Sequence, residues 1–280
     1  MRSPAADVVR RLRRSKGAMI GSAILGFLVL IAILAPALAP HDPAEQNVDV
    51  RLQPPAPGYW LGTDLYGRDV LSRILYGARI SLRVGLMSVA IGCSVGLVLG
   101  LTAGYYRGWT DTVIMRFIDA MLAFPSLLLA LSLVAVLGGS LRNVMIAVGI
   151  SSVPGYTRLV RGTVLSAREN VYIEAARALG CANRLIMFRH ILPNVFAPIL
   201  VLATLGTAST IIVASALSYL GMGAQPPTPE WGLMLSEGRS YLRRAWWIST
   251  FPGLAIMVTT LAINLLGDGL RDALDPRLRI

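Results

Sequence analysis

The chain has 280 residues, 55% of them hydrophobic and 15% charged, with a mean hydropathy of +0.62. That balance lies outside the range of soluble globular domains, and the apolar runs are long enough for the ~20-residue helices that cross a bilayer. The formal charge of +11 is spread over loops and tails, with no basic stripe interleaved with aromatics, so nucleic acid is excluded as a partner and the lipid bilayer is the expected one.

Residues 1–17 form a basic tail, in which Arg2, Arg10, Arg11, Arg13, Arg14 and Lys16 face Asp7 alone, and such a tail stays in the cytoplasm. Residues 18–39 are the first predicted transmembrane helix. Ala37-Leu38-Ala39 imitates a signal-peptidase site, but the apolar run exceeds the roughly 7–15 residues of a signal peptide's apolar h-region, and Pro40 would follow the cut directly. The span is therefore expected to be retained. Residues 40–80 read as an external loop, proline-rich as far as Tyr59, followed by an amphipathic helix capped by Thr63 or Asp64. Val70, Leu71, Ile74 and Leu75 make its apolar strip, with Arg68, Asp69 and Arg73 elsewhere on its surface. These arginines would repel a cation from Asp64 and Asp69, so no carboxylate metal site is expected there. Cys93, Cys181, His41 and His190 have no metal-ligand spacing either.

Residues 81–270 hold five more predicted spans. In the second, Ser81 to Gly104, glycines at 92, 96, 100 and 104 with Ser88 one step earlier leave one helix face nearly bare, which suits close helix packing. The third, Thr112 to Leu137, should bend at Pro125, and Arg116 and Asp119 near its inner end are placed to pair or to contact the polar segment described next. The fourth starts near Asn143 and carries Ser151, Ser152, Pro154 and Gly155 at depth, which suits a water-lined route and equally a kink packed on its neighbours. The fifth covers Val195 to Leu220, with hydroxyls that can return to their own backbone. An external loop to Trp247 follows, with Thr228-Pro229 suited to a helix start. The sixth span runs to about Leu266, and residues 271–280 are a second tail. On this topology 17 of the 26 basic residues but only 8 of the 15 acidic ones are inside, which favours two cytosolic ends and six spans.

Between the fourth and fifth spans lies an arginine-rich island, Ser166 to Asn194. Ser166 with Glu169 fits a capping box opening a helix through Glu174, Ala175, Ala176, Arg177 and Leu179. Gly180 should stop that helix in the left-handed conformation. A second helix is expected from about Asn183, carrying Arg184 and Phe188 and ending before Pro193. The paired alanines leave a face that a partner can approach closely. Read from its residues alone, the island is either such a docking plug or a solvated loop between spans.

Glu174-Ala175-Ala176, then Gly180, then Leu192-Pro193 resembles the EAA loop of ABC-transporter permeases, which in that family is a coupling helix seated in a groove of the ATPase. The usual pattern has isoleucine where this chain has His190, and His-Ile-Leu-Pro-Asn is the form of the peptide and nickel importer branch. Three further stretches are similar to that branch and in its order: Gly62-Thr63-Asp64-Leu65-Tyr66-Gly67-Arg68-Asp69, Gln225-Pro226-Pro227-Thr228-Pro229-Glu230-Trp231-Gly232, and Gly267-Asp268-Gly269-Leu270-Arg271-Asp272-Ala273-Leu274-Asp275-Pro276. The resemblance implies an all-α polytopic membrane protein with the type I ABC importer permease fold, a C-type subunit in a bacterial or archaeal cytoplasmic (inner) membrane. Its implied partners are a related permease in a heterodimer, two ATP-binding cassette ATPase domains and an external solute-binding protein. Glu174, Ala175, Ala176, Arg177, Gly180 and Arg184 are its implied ATPase-coupling residues.

The chain itself is expected to be non-catalytic and to bind no cofactor, ATP and Mg belonging to the partner ATPases. It has no GxxxxGK[ST] phosphate loop, and its single lysine, Lys16, is in the tail. Ionisable groups near mid-membrane, which an ion-coupled carrier needs, are missing from the predicted spans. Di- or oligopeptides are the implied cargo, nickel or another small solute the alternative. A self-sufficient passive channel or secondary transporter, with the island a mere loop, is the reading from another class.

Overall fold

Apolar residues run almost unbroken through most of the chain, and a backbone in hydrocarbon must satisfy its own hydrogen bonds, so helices dominate. The computed structural model describes residues 10–274. Helix α1, Lys16–Leu38, is capped by Ser15, whose hydroxyl accepts from the Ala18 N–H at 3.3 Å. It exposes most of its apolar side chains and buries Ala18, Gly21, Ala32 and Ala35. Residues 39–69 are irregular, apart from a three-residue 3₁₀ turn at Val48–Val50.

Helix α2, Val70–Tyr106, corrects the expectation of a separate amphipathic helix. The helix starts at a cap on Asp69, whose carboxylate takes the Ser72 N–H at 2.8 Å, and the apolar strip of Val70 and Ile74 runs straight on into the predicted second span. At 37 residues it is about 55 Å long. After a turn in which Arg107 and Gly108 both have positive φ, helices α3, Gly108–Leu122, and α4, Ser126–Leu137, meet at a 92° bend. Pro125 ends the first of them, so the expected bend is a complete break. Helix α5, Leu141–Arg168, is capped by Ser140 and carries Pro154 inside it.

The island begins with helix α6, Val171–Ala178. A single helical turn, α7, Asn183–Leu185, passes through a π-helical stretch, Ile186–Ile191, into helix α8, Leu192–Tyr219. Pro193 therefore does not end a helix as expected: it sits in the first turn of α8, where an N–H is dispensable. Helix α9, Trp231–Gly238, is capped by both carboxylate oxygens of Glu230, on the Gly232 and Leu233 N–H groups, rather than by Thr228. Helix α10, Trp247–Leu274, extends two turns past the expected end of the last span.

Among the described residues, α1, α2, the α7–α8 segment and α10 are long and apolar enough to cross a membrane, and α3 with α4 makes a fifth candidate if the bent pair is one span. The remaining expected span, the fourth, corresponds to α5, which is too polar to qualify on composition, with Arg142, Asn143, Arg158 and Arg161 along its length.

Helices α2 and α5 pack face to face along the glycine stripe. A Cβ on Gly100 would lie 2.6 Å from Val160 Cβ and 2.7 Å from the Thr157 carbonyl, and one on Gly104 2.8 Å from Val164 Cβ. Gly92 and Gly96 stand against Ser152 and Tyr156, so four residues spaced by four on each helix interlock. Close backbone approach of this kind supplies dispersion contacts in place of the hydrophobic drive that is missing between helices in lipid.

Candidate functional site

Helix α6 is the centre of the island. Ser166 and Glu169 do not form the expected capping box: Ser166 lies inside α5, and Glu169 pairs with Arg107 at 2.6 Å. Asn170 occupies the N-cap position instead, with extended backbone and its amide donating back to the Ala167 carbonyl. The C-terminus is as expected. Gly180 has φ +77°, Cys181 N–H reaches the Ala176 carbonyl at 3.1 Å and Gly180 N–H the Arg177 carbonyl at 2.9 Å, the two bonds of a Schellman motif.

The eight residues of α6 divide sharply between two faces. Ile173 and Ala176 are buried in a cluster with Tyr105, Val160, Val164, Ile186 and Ile191. Glu174, Ala175 and Arg177 are exposed, as are Val171 and Leu179, which leave 80% and 84% of their surface uncovered. The bare face expected of the alanine pair is therefore split, because neighbours on a helix are about 100° apart. Ala176 lets α6 settle on its own bundle, and Ala175 faces outward between Val171 and Leu179. Arg184 is exposed beyond the Gly180 turn, and neither it nor Glu174 has an ion-pair partner among the described residues. Arg177 turns back on the chain, its guanidinium 5.6 Å from the centre of the Tyr105 ring.

Two ion pairs tie α3 to α5 beside this surface: Arg161 grips Asp111 with Nε at 2.5 Å and Nη2 at 2.7 Å, and Arg158 meets Asp119 at 2.7 Å. Asp119 thus reaches across to α5 instead of pairing with Arg116. Arg158, Gly162, Ser166, Asn170, Tyr172 and Asn194 are among the residues lining an open cleft of about 700 Å³ between α5 and the island. Sequence reasoning assigned no contact to Tyr105, and it placed Asn183 and Asn194 only as a helix start and a motif end, because their partners lie far away in the chain. Asn194 donates to the Tyr172 hydroxyl at 2.9 Å.

At the opposite end of α2 the Gly62–Asp69 and Gln225–Gly232 stretches meet around charges that the sequence had placed on a helix surface. Arg68 and Arg73 are fully buried. Arg68 Nε binds Asp64 at 2.6 Å, and both guanidinium groups reach Glu237, at 2.8 Å and 3.1 Å. Arg73 also donates to the carbonyls of Pro43 and Pro227. Trp231 and Trp247 seal the cluster by donating to the Ile74 and Thr63 carbonyls.

Residues 96–280 match the family of binding-protein-dependent transport system inner membrane components, and residues 3–55 match the N-terminal transmembrane domain of oligopeptide transport permease C. The chain belongs to this permease family. Among its relatives are the dipeptide transport system permease protein DppC of Alkalihalophilus pseudofirmus, 50% identical over 99% of this chain and 91% of that protein, and the di/tripeptide permease DppC of Pseudomonas aeruginosa, 47% identical over 99% and 93%. The glutathione transport system permease protein GsiD of Pectobacterium atrosepticum is 48% identical over 100% of this chain and 93% of that protein. Solved structures share the fold at lower identity: the MetNI methionine ABC transporter, at a TM-score of 0.60 and 16% identity over 73% of this chain and 98% of that one, and an amino acid ABC transporter, at 0.56 and 19% over 72% and 94%. The expected all-α importer-permease fold is therefore the observed one, and the chain is an inner-membrane permease subunit of a transport system that works with a binding protein.

Proposed function

We propose that this permease is one half of the translocation path of a short-peptide importer and receives its energy through α6. A related permease completes the path, two cytosolic ATPase domains bind the ATP and Mg, and an external binding protein delivers the cargo. The names of the relatives, which cover dipeptides, di/tripeptides and glutathione, support short peptides as the substrate class.

The observation that carries the coupling role is the exposed face of α6. Val171, Ala175 and Leu179 make an uncovered apolar strip on a helix whose other face is locked into the bundle, with Glu174 and Arg184 free beside it. An exposed apolar strip rimmed by charge suits a protein groove. Closure of the ATPases on ATP would carry the seated helix with it and tilt the packed helices between inward and outward access. The polar composition of α5 supports a helix that crosses the membrane along the aqueous route and not against lipid. Both chain ends lie in the cytosol on the charge distribution of the loops.

The test is to tag the C-terminus, extract the protein gently from native membranes, and identify what co-purifies. A second permease, ATPases and a binding protein carrying a peptide are the expected set. Recovery of this chain alone, in a detergent that keeps known complexes of the class intact, would overturn the proposal.

A further inference from the structure

We propose that Tyr105 is the positioning residue that transmits movement of α6 to the long helix α2, an inference that rests on the coupling role given to α6 above. Tyr105 and Tyr106 end α2 side by side, yet their surroundings differ. Tyr106 is 53% exposed, whereas Tyr105 is 4% exposed and held on every side. Its hydroxyl donates to Asn183 Oδ1 at 2.6 Å, on the turn just after α6. Its carbonyl accepts from the guanidinium of Arg168, at the end of α5 just before α6. The guanidinium groups of Arg168 and of Arg177, on α6 itself, each lie 5.6 Å from the centre of its ring, within reach of its negative face. The same ring is buried with Ile173 and Ala176 on the inner face of α6.

One side chain therefore touches the segment before α6, α6 itself and the segment after it, and it is anchored to a helix of about 55 Å. The glycine seam locks that helix to α5, so α2 and α5 have no slack between them to absorb a displacement at Tyr105. The far end of α2 carries Arg73 in the buried charge cluster with Glu237. Movement received at Tyr105 thus has a continuous packed route to the other face of the protein, and the hydroxyl bond to Asn183 is the link that a small substitution can remove without disturbing the ring.

The experiment uses the complete transporter in proteoliposomes, with radiolabelled alanyl-alanine carried by the binding protein, and measures peptide taken up per ATP hydrolysed. Tyr105→Phe and Asn183→Ala should each lower that ratio by about three- to tenfold, the factor an ordinary net hydrogen bond is worth. ATPases should still co-purify with both variants. The double variant should be no worse than either single one, because both remove the same bond, and Asn183→Asp, which keeps an acceptor, should retain most of the ratio. A wild-type ratio in Tyr105→Phe, or losses that multiply in the double variant, would overturn the proposal. Failure of the wild-type chain to recruit ATPases, or uptake independent of ATP, would instead overturn the coupling role of α6 and this inference with it.

Discussion

Replacing Glu237 by glutamine should cost about 3–5 kcal/mol, the usual penalty for removing one partner of a buried ion pair. The Glu237 carboxylate stands 2.8 Å from Arg68 and 3.1 Å from Arg73, and Asp64 lies 2.6 Å from Arg68 on the other side. The side chains of Arg68, Arg73 and Asp64 are 1%, 0% and 3% exposed and that of Glu237 10%, so two positive and two negative charges share a nearly dry site. Glutamine keeps the shape but leaves two guanidinium groups facing a single carboxylate. The penalty is thus the uncompensated charge and not merely a lost contact. At 2–4 °C per kcal/mol for a chain of roughly this size, the melting temperature should fall by roughly 6–20 °C. Thermal unfolding in detergent, followed by tryptophan fluorescence, suits the measurement because Trp231 and Trp247 pack in the cluster beside these charges. Adding Arg73→Gln to Glu237→Gln restores neutrality and should recover part of the loss. A melting temperature within about 2 °C of wild type for Glu237→Gln, or strict additivity in the double variant, would refute the reasoning, since neither is compatible with a desolvated four-charge cluster.

In the isolated subunit, Gly100→Leu should cost about 1–3 kcal/mol by forcing α2 off α5, whereas Gly155→Ala, with nothing within 4 Å of its added methyl, should be neutral or gain up to about 1 kcal/mol; resistance to unfolding in SDS compares them, and equal behaviour would contradict the seam. Gly180→Arg should leave the subunit inserted but cut ATP-driven uptake, because φ +77° strains any residue with a Cβ, by about 1–2 kcal/mol, and the side chain would stand at the docking surface proposed for α6. Gly180→Asn, which tolerates that conformation, should keep most of the uptake, and unchanged uptake in Gly180→Arg would sink the assignment. Burial raises the Glu230 carboxyl above the ordinary carboxylate range, against the opposing pull of the Gly232 and Leu233 N–H groups. The folded state therefore holds this proton more tightly than the unfolded one, so the contribution of Glu230 to stability is full at pH below the ordinary glutamate value and is lost as pH rises through the raised one. The melting temperature of wild type minus that of Glu230→Gln should accordingly fall as pH rises from about 4 to 7, and a flat or rising difference would contradict this.

Much of the architecture was legible because it rests on local rules. The length of the apolar runs sets helices that span a bilayer, Pro125 breaks one of them, and the four-residue glycine period foretells a close helix contact. Gly180 reads directly as a helix stop, since its left-handed backbone is a property of one residue. The cap positions were less legible. Ser166 and Glu169 satisfy the capping-box pattern, yet α5 runs through Ser166 because its apolar face continues onto α2, and tertiary packing outweighs a cap of about 1 kcal/mol.

The sequence by itself determined the class of protein, the order of its helices and the position of the polar island between two spans, for each of these follows from period, composition and motifs within a few residues of one another. Only the tertiary structure decided which face of α6 is free, that Arg177 turns inward to Tyr105, and that Arg68, Arg73, Asp64 and Glu237 share one buried site. The last of these joins residues 164 and 169 positions apart. Charges so distant in the chain have no mutual signal in the sequence, and a pattern of arginine and aspartate at the start of a helix looks the same whether water or protein surrounds it. Burial, which turns that pattern from a solvated surface into a cluster where losing one charge costs several kcal/mol, exists only once α9 and the 39–69 segment have closed over α2.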